Sequence, residues 1–452
     1  MPTCCVHPLP YHADPRARFA LVRTAPGACL LDGGRPQAER GRFDLLSAWP
    51  EQRLQPEPGE DGRAFLARCR AALAFLGRAE APDGCELPFT GGLLGYLGYD
   101  FGRRLERLPA QAANDLQLPD ATFGLYAWGL VSDHQRQTSQ LVFHPSLPAQ
   151  RRGELIALFE APATPATPAT PGEFRLLAPF AADLEAGQYQ AAIERIQAYI
   201  RSGDCYQVNF TQRFQAPWQG DPWAAYCALR EACPTPFAGY LQLDDGAILS
   251  LSPERFLSVR QGRVETRPIK GTRPRGRDAG EDRALAAELQ ASAKDRAENL
   301  MIVDLLRNDL GRSCRIGSVR VPELFALESY PNVHHLVSAV TGELAPGLDA
   351  FDLLAGSFPG GSITGAPKIR AMQIIDELEP TRRSIYCGSL LYVDSRGEMD
   401  SSICIRTVLL QAGQASCWGG GGIVMDSEWQ AEYEESKTKV RVLLQTLEAT
   451  LD

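Results

Sequence analysis

Residues 237–269 read FAGYLQLDDGAILSLSPERFLSVRQGRVETRPI. Four strand-like runs follow one another there, at 237–243, 247–253, 256–260 and 263–269, and none is long or periodic enough to be a helix. Upstream stands a fifth run, CYQVNFTQRF at 205–214, behind a helix expected over 183–202. In that helix Leu184, Tyr189, Ile193, Ile196 and Ile200 recur at helical spacing, and Gly203 can end it. Downstream, a long helix is expected from about 281 to 308 and another after Pro367. The strands SLLYVD and SICIRTVLLQ follow, then a run of glycines and a final amphipathic helix from about Glu428. Many strands with interspersed helices and no regular βαβ alternation predict an α/β chain of the α+β type. Its large, mixed, mostly antiparallel sheets should form a sandwich with helices outside.

The first 160 residues mix short strand-like runs with one helical stretch around 63–78 and carry GGLLGYLGYDFGR at 91–103, whose glycines point to close backbone packing. Residues 161–172, APATPATPATPG, cannot pack and read as an extended connector. The expected organisation is therefore an N-terminal region 1–160, a linker 161–172 and a catalytic region 173–452. A loop inside one fold can also lengthen at little cost, so the split need not separate independent domains.

Composition narrows the function classes. A net charge of −9 makes the chain a poor nucleic-acid binder. No apolar run approaches membrane-spanning length, and the N-terminus has no apolar signal core, so a cytoplasmic protein is expected. The 12 cysteines include no CxxC pair, which sets a zinc site aside and suits reduced thiols.

Several residues could carry chemistry. On the final helix Glu432 and Glu435 stand three apart and share a side, whereas Glu434 points elsewhere; Asp295 and Glu298 repeat the spacing on the long middle helix. Two such pairs could hold a hard divalent cation, or they could be solvated acids paired with Lys294, Lys437 and Lys439. FPGGSITGAPK at 358–368 and the glycines 419–422 offer free N–H groups and close approach to an anion, or else tight turns. Arg406 lies in an otherwise apolar strand and needs an anionic partner. Lys270 has Arg267, Arg273 and Arg275 nearby, which would help keep its amine neutral and nucleophilic, unless the loop is merely a basic surface. Glu254 could be a general acid and His335 a hydrogen-bonding group, though lone residues of these kinds are often structural.

Taken together, GDCYQVNFTQRF, SPERF, PIKGTRPRG, AENLMIVDLLRNDLGR, HLVSAVTG, FPGGSITGAPK, DSSICIRTV and GGGGIVMDS…EYEES resemble the chorismate-utilising enzymes: the anthranilate, aminodeoxychorismate, isochorismate and salicylate synthases. The resemblance covers most of 189–444 in family order and implies an anthranilate-synthase-like fold. It implies Mg²⁺ held by Glu298 and Glu435 with Asp295 and Glu432 in support. It also implies that chorismate meets Gln207, Thr272, His335, Thr364, Gly365, Tyr386, Arg406, Gly420, Gly421, Gly422 and Lys439. Asp295 departs from relatives that carry Glu. Members of the anthranilate type are similar to PIAGT where this chain has PIKGT, so Lys270 points to the aminodeoxychorismate type, with Lys270 as nucleophile and Glu254 as general acid. The alternative is an anthranilate synthase component I. No glutaminase-like segment is present, so ammonia is expected from a separate glutamine amidotransferase subunit.

Overall fold

A computed structural model describes residues 1–38, 41–161, 172–329 and 333–451. The expected linker falls outside the described residues except at its two ends, 161 and 172. Among the described residues the strands form two sheets. A thirteen-stranded sheet runs, from one edge, through Cys5–Leu9, Thr138–Phe143, Trp128–Asp133, Phe43–Ser47, Cys29–Asp32, Phe237–Leu243, Gly246–Ser252, Thr407–Gln411, Gln414–Ile423 and Gln207–Gly220. A ten-stranded sheet runs through Ile269–Pro274, Val333–Glu343, Arg263–Thr266, Arg255–Arg260, Met399–Ser402, Ser389–Asp394, Gly92–Leu97, Ala121–Tyr126 and Gln52–Leu54. Neighbouring strands pair antiparallel, as the absence of regular βαβ alternation predicts.

Both sheets draw strands from before residue 161 and from after residue 172. Cys29–Asp32 pairs with Phe237–Leu243, and Gly92–Leu97 pairs with Ser389–Asp394. Leu45, Ile248, Leu409 and Trp418 of the larger sheet share one buried cluster with Leu93, Leu257, Val264 and Leu390 of the smaller. The sheets therefore face one another across a common core. The outer face of the larger sheet is covered by helices: Trp223 and Leu229 of Pro222–Ala232 and Val440 and Leu443 of Trp429–Glu448 pack on Leu249 and Leu410. Among the described residues no helix is long and apolar enough to cross a membrane.

Three expectations change in detail. The long helix of 281–308 is two helices, Ala279–Ala291 and Ala293–Gly311. Ser292 between them is extended, and its hydroxyl accepts from Asp295 N at 3.2 Å, capping the second helix. SICIRTVLLQ is not one strand: Met399–Ser402 belongs to the smaller sheet and Thr407–Gln411 to the larger, and Arg406, at φ 51°, lies on the crossing between them. The glycines 419–422 lie within the strand Gln414–Ile423 and not in a loop.

Candidate active site

The chain crosses between the sheets twice side by side, and the crossings carry two of the expected residues. Glu254 follows Gly246–Ser252 and precedes Arg255–Arg260; Arg406 sits on the return. Ile403 N donates to Glu254 O at 3.1 Å and Leu251 N to Arg406 O at 3.0 Å, so each crossing braces the other. Arg406 is half-buried, and among the described residues no carboxylate lies within ion-pair distance of it. Its neighbour is His335, 6% exposed, which burial first and then Arg406 depress to about 4. At neutral pH His335 is an uncharged imidazole sharing a 2.9 Å hydrogen bond with the Thr272 hydroxyl. A cation without a carboxylate beside a neutral hydrogen-bonding ring suits an anionic ligand.

Lys270 reaches the same region through a bulge. Ile269 pairs with Val337 and Thr272 with His335, with a register shift between, and Gly271 has φ +85°. A side chain at Gly271 would meet Leu289 and Asp295 within 3.0 Å, so glycine is required both for the backbone and for the close approach of the acidic helix. The bulge directs Lys270 to Ser362, where Nζ donates to the main-chain carbonyl at 3.3 Å. The hydroxyl of Ser362 donates to Glu254 Oε1 at 3.0 Å, so one residue joins the lysine to the carboxyl. Burial raises Glu254 to about 7, with Lys270 opposing. Burial also lowers Lys270, with Glu254 opposing. Both shifts favour the neutral forms, an acid able to give a proton and an amine able to attack.

The carboxylates converge from two helices. Glu432 accepts from Ser427 Oγ at 2.7 Å, and Glu435 pairs with Lys439 at 2.7 Å. Glu298 and Lys294 stand 4.0 Å apart, while Asp295 is tied to Arg273 at 3.2 Å. Glu434 lies outside, 63% exposed and paired with Lys437, as the helical period predicts. Burial, and to a lesser degree Asp295 and Glu435, raise Glu298; burial and then Glu435 raise Glu432. Burial pushes Glu435 the same way, but the Lys439 ammonium outweighs it and leaves that carboxyl low. Among the described residues no three acidic, histidine or cysteine groups already converge to metal distance. The donor chemistry nevertheless fits a hard cation. Glu432 and Glu435 reach within 3.2 and 3.3 Å of where a Cβ on Gly421 would stand, and the Glu435 charge bears on Glu298 of the other helix. Asp295, turned to Arg273, fits a supporting place rather than a direct one.

The glycine run is explained by neighbours. Gly419 lies against the Ser436 backbone of the last helix, Gly420 against Phe210 O and Thr211, Gly421 beneath the two glutamates and Lys439, and Gly422 beneath the Gln207 amide. Lys439 also donates to Gly420 O at 2.9 Å. Gln207 is fully buried, and neither amide atom has a partner among the described residues, which suits a hydrogen-bonding ligand. Thr364 spends its hydroxyl on Gly360 O at 3.0 Å. Gly365 packs against the Gln207 carbonyl, and Tyr386 stacks on Trp418 at 5.7 Å. These three shape the wall. Ser362 was missed in the sequence, although a hydroxyl inside a glycine-rich turn is a readable signal. Asn209, with a buried unpartnered Oδ1, gave none.

Comparison with known proteins adds a second line. Residues 28–445 match the family model described as chorismate binding enzyme. The chain is 51% identical over 440 residues to aminodeoxychorismate synthase component 1 of Escherichia coli, covering 95% of each. It is 48% identical over 455 residues to the protein of that name in Salmonella typhimurium, covering 97% of each. Its fold matches the crystal structure of anthranilate synthase component I from Streptococcus pneumoniae at TM-score 0.79 and 33% identity, covering 89% of this chain and 92% of that one.

Proposed function

Because the chain belongs to the family of chorismate binding enzymes, we propose that it aminates chorismate, acting as the chorismate-binding subunit of an aminodeoxychorismate synthase. The observation that carries this reading is Lys270 and Glu254 meeting on Ser362, a nucleophile and an acid on one residue. The anthranilate-forming alternative shares the rest of the site and lacks a use for Lys270. The product, 4-amino-4-deoxychorismate, would serve p-aminobenzoate and folate synthesis in the cytoplasm.

Arg406, His335 and Gln207 would hold the substrate's carboxylates and ring. Neutral Lys270 attacks C2 while protonated Glu254 gives its proton to the departing 4-hydroxyl, so water leaves and a secondary ammonium forms. Glu254 then takes a proton from that ammonium. Ammonia adds at C4, and the C2–N bond breaks as Glu254 returns the proton to Lys270; the new C4 ammonium then gives its extra proton to Glu254, which leaves the 4-amine and restores the protonated acid. Pyruvate is retained throughout. Glu298 and Glu435, with Glu432 and Asp295 supporting, would hold Mg²⁺, which supplies a Lewis acid for the substrate's carboxylate.

Mass analysis of the product from chorismate, Mg²⁺ and ammonium tests the reading. An aminated product retaining pyruvate is expected; anthranilate would overturn it. With no glutaminase segment, the purified chain should use ammonium salts and not glutamine, ammonia normally coming from a glutamine amidotransferase partner. Glutamine-dependent turnover by the isolated chain would refute that division of labour.

The pair also sets a pH profile. The working state needs Glu254 protonated and Lys270 neutral, which is one proton shared between two sites. Below about 7 both are protonated, and above the lowered pKa of Lys270 neither is. Activity should therefore rise as pH passes through about 7 and fall again before 10.5, the ordinary lysine value. Profiles of kcat/KM for the wild type and Glu254→Gln check this; in the variant Lys270 alone of the pair titrates, so the fall should vanish and the rise should move to the lysine's own lowered pKa.

A further inference from the structure

A buried ion pair next to the site plays no part in the chemistry above. Glu379 ends the helix Lys368–Leu378, and Arg383 follows it; they are 5% and 1% exposed. Arg383 Nε donates to Glu379 Oε2 at 2.9 Å and Nη2 to Oε1 at 2.6 Å. Its remaining bonds go to main-chain carbonyls, Nη1 to Ile363 O at 2.9 Å and Nη2 to Asn209 O at 2.6 Å. Glu379 accepts from Thr211 N at 3.0 Å and from its hydroxyl at 2.9 Å. The Tyr99 ring, from the N-terminal region, lies over the guanidinium at 4.8 Å.

Ile363 directly follows Ser362, the residue on which Lys270 and Glu254 meet. We propose that Arg383, held by Glu379, is a positioning residue: it fixes the Ser362–Ile363 backbone so that Ser362 presents its carbonyl to Lys270 and its hydroxyl to Glu254. This rests on the functional reading above for its consequence and on geometry for its substance. A buried ion pair is weak evidence for stability, because apolar side chains of similar volume often serve a core as well or better. Apolar side chains cannot donate to two carbonyls at fixed angles, however. Lysine is a point donor and cannot span Ile363 O and Asn209 O while also meeting Glu379 twice, whereas a rigid guanidinium fork does.

Two variants test the inference. Arg383→Lys keeps the charge without the fork. The double variant Glu379→Met/Arg383→Met leaves no unpaired buried charge and so keeps a folded comparison available. A crystal structure of either folded variant should show Ser362 drawn away, with its hydroxyl more than about 3.5 Å from Glu254. In ammonium-dependent turnover, kcat should fall on the order of 10- to 100-fold while KM for chorismate stays within about twofold. An unmoved Ser362 in a folded variant overturns the proposal, as does an unchanged kcat. A lowered Tm with Ser362 and kcat preserved assigns the pair to stability alone and also overturns it. Wild-type protein that fails to aminate chorismate would sink the functional reading instead, and the position of Ser362 would still decide this one.

Discussion

Lys270→Ala is expected to bind chorismate and to lose 4-amination by a factor on the order of 10³ or more, since the proposed reaction loses its nucleophile and the orientation that came with it. What remains in the variant is nearly the whole site. Arg406 and His335, the carboxylates of the two helices and Glu254 on Ser362 are all held by contacts that do not pass through Lys270. Among the described residues the lysine amine donates one hydrogen bond, to the Ser362 carbonyl at 3.3 Å, and removing it leaves an acceptor that solvent in the site can satisfy. Folding should therefore survive. The balance of charge shifts too: Lys270 opposes the rise of Glu254 and Glu298, so both carboxyls should become harder to ionise in the variant. Residual turnover would come from ammonia or water attacking C2 directly, and it would give a 2-substituted product. Intact-protein mass spectrometry after incubation with chorismate and no ammonia is the direct probe. The wild type should gain a dehydrated chorismate adduct that Lys270→Ala lacks. Undiminished 4-amination by the variant would return Lys270 to the role of a basic loop residue.

Much of this arrangement was readable from residue order, and the parts that were not share a cause. The helix face of Glu432 and Glu435 followed from the helical period alone, and Glu434 duly lies outside, bound to Lys437. The mostly antiparallel sheets followed from many strands without regular βαβ alternation. The crossing at 403–406 did not, because an apolar strand that changes sheets has the same composition as one that continues. Only the φ of 51° at Arg406 marks the change, and a backbone angle leaves no trace in an arginine. Ser292 likewise interrupts a helix with no glycine or proline to announce it; its capping bond to Asp295 becomes visible only when the two helices are seen to be separate. The glycines of 419–422 were legible as a place of close approach, but what approaches is the last helix, its glutamates and Gln207, which are distant in the chain. Arg383 and Glu379 were illegible for the same reason. Four residues apart, they look like an ordinary surface pair, and their burial is decided by Thr211, Asn209 and Ile363 arriving from elsewhere.

The acids on the two helices carry the other large expectation. Glu298→Gln and Glu435→Gln should each raise the Mg²⁺ concentration needed for half-maximal binding by more than about 100-fold, because a direct ligand should matter more than the outer contacts whose loss costs about 10–100-fold. Glutamine keeps the shape of either side chain and removes only the charge. Neither loss threatens the fold. The Glu435–Lys439 pair has side chains 51% and 47% exposed, and such pairs contribute roughly 0–1 kcal/mol after solvent screening. That weakness would also let a divalent ion displace the ammonium. Glu298 is already penalised by burial and by the neighbouring Asp295 and Glu435, so making it neutral relieves repulsion in the metal-free protein. Glu434→Gln is the control on the same helix. Its carboxylate is 63% exposed and occupied by Lys437, so Mg²⁺ binding and activity should both stay within about twofold of wild type. Calorimetric titration with Mg²⁺, or Mn²⁺ titration followed by electron paramagnetic resonance, measures binding without relying on turnover. Equal losses at Glu434 and Glu435 would contradict the helix face on which the site is built, and unaltered binding in Glu298→Gln would remove the second helix from the metal site.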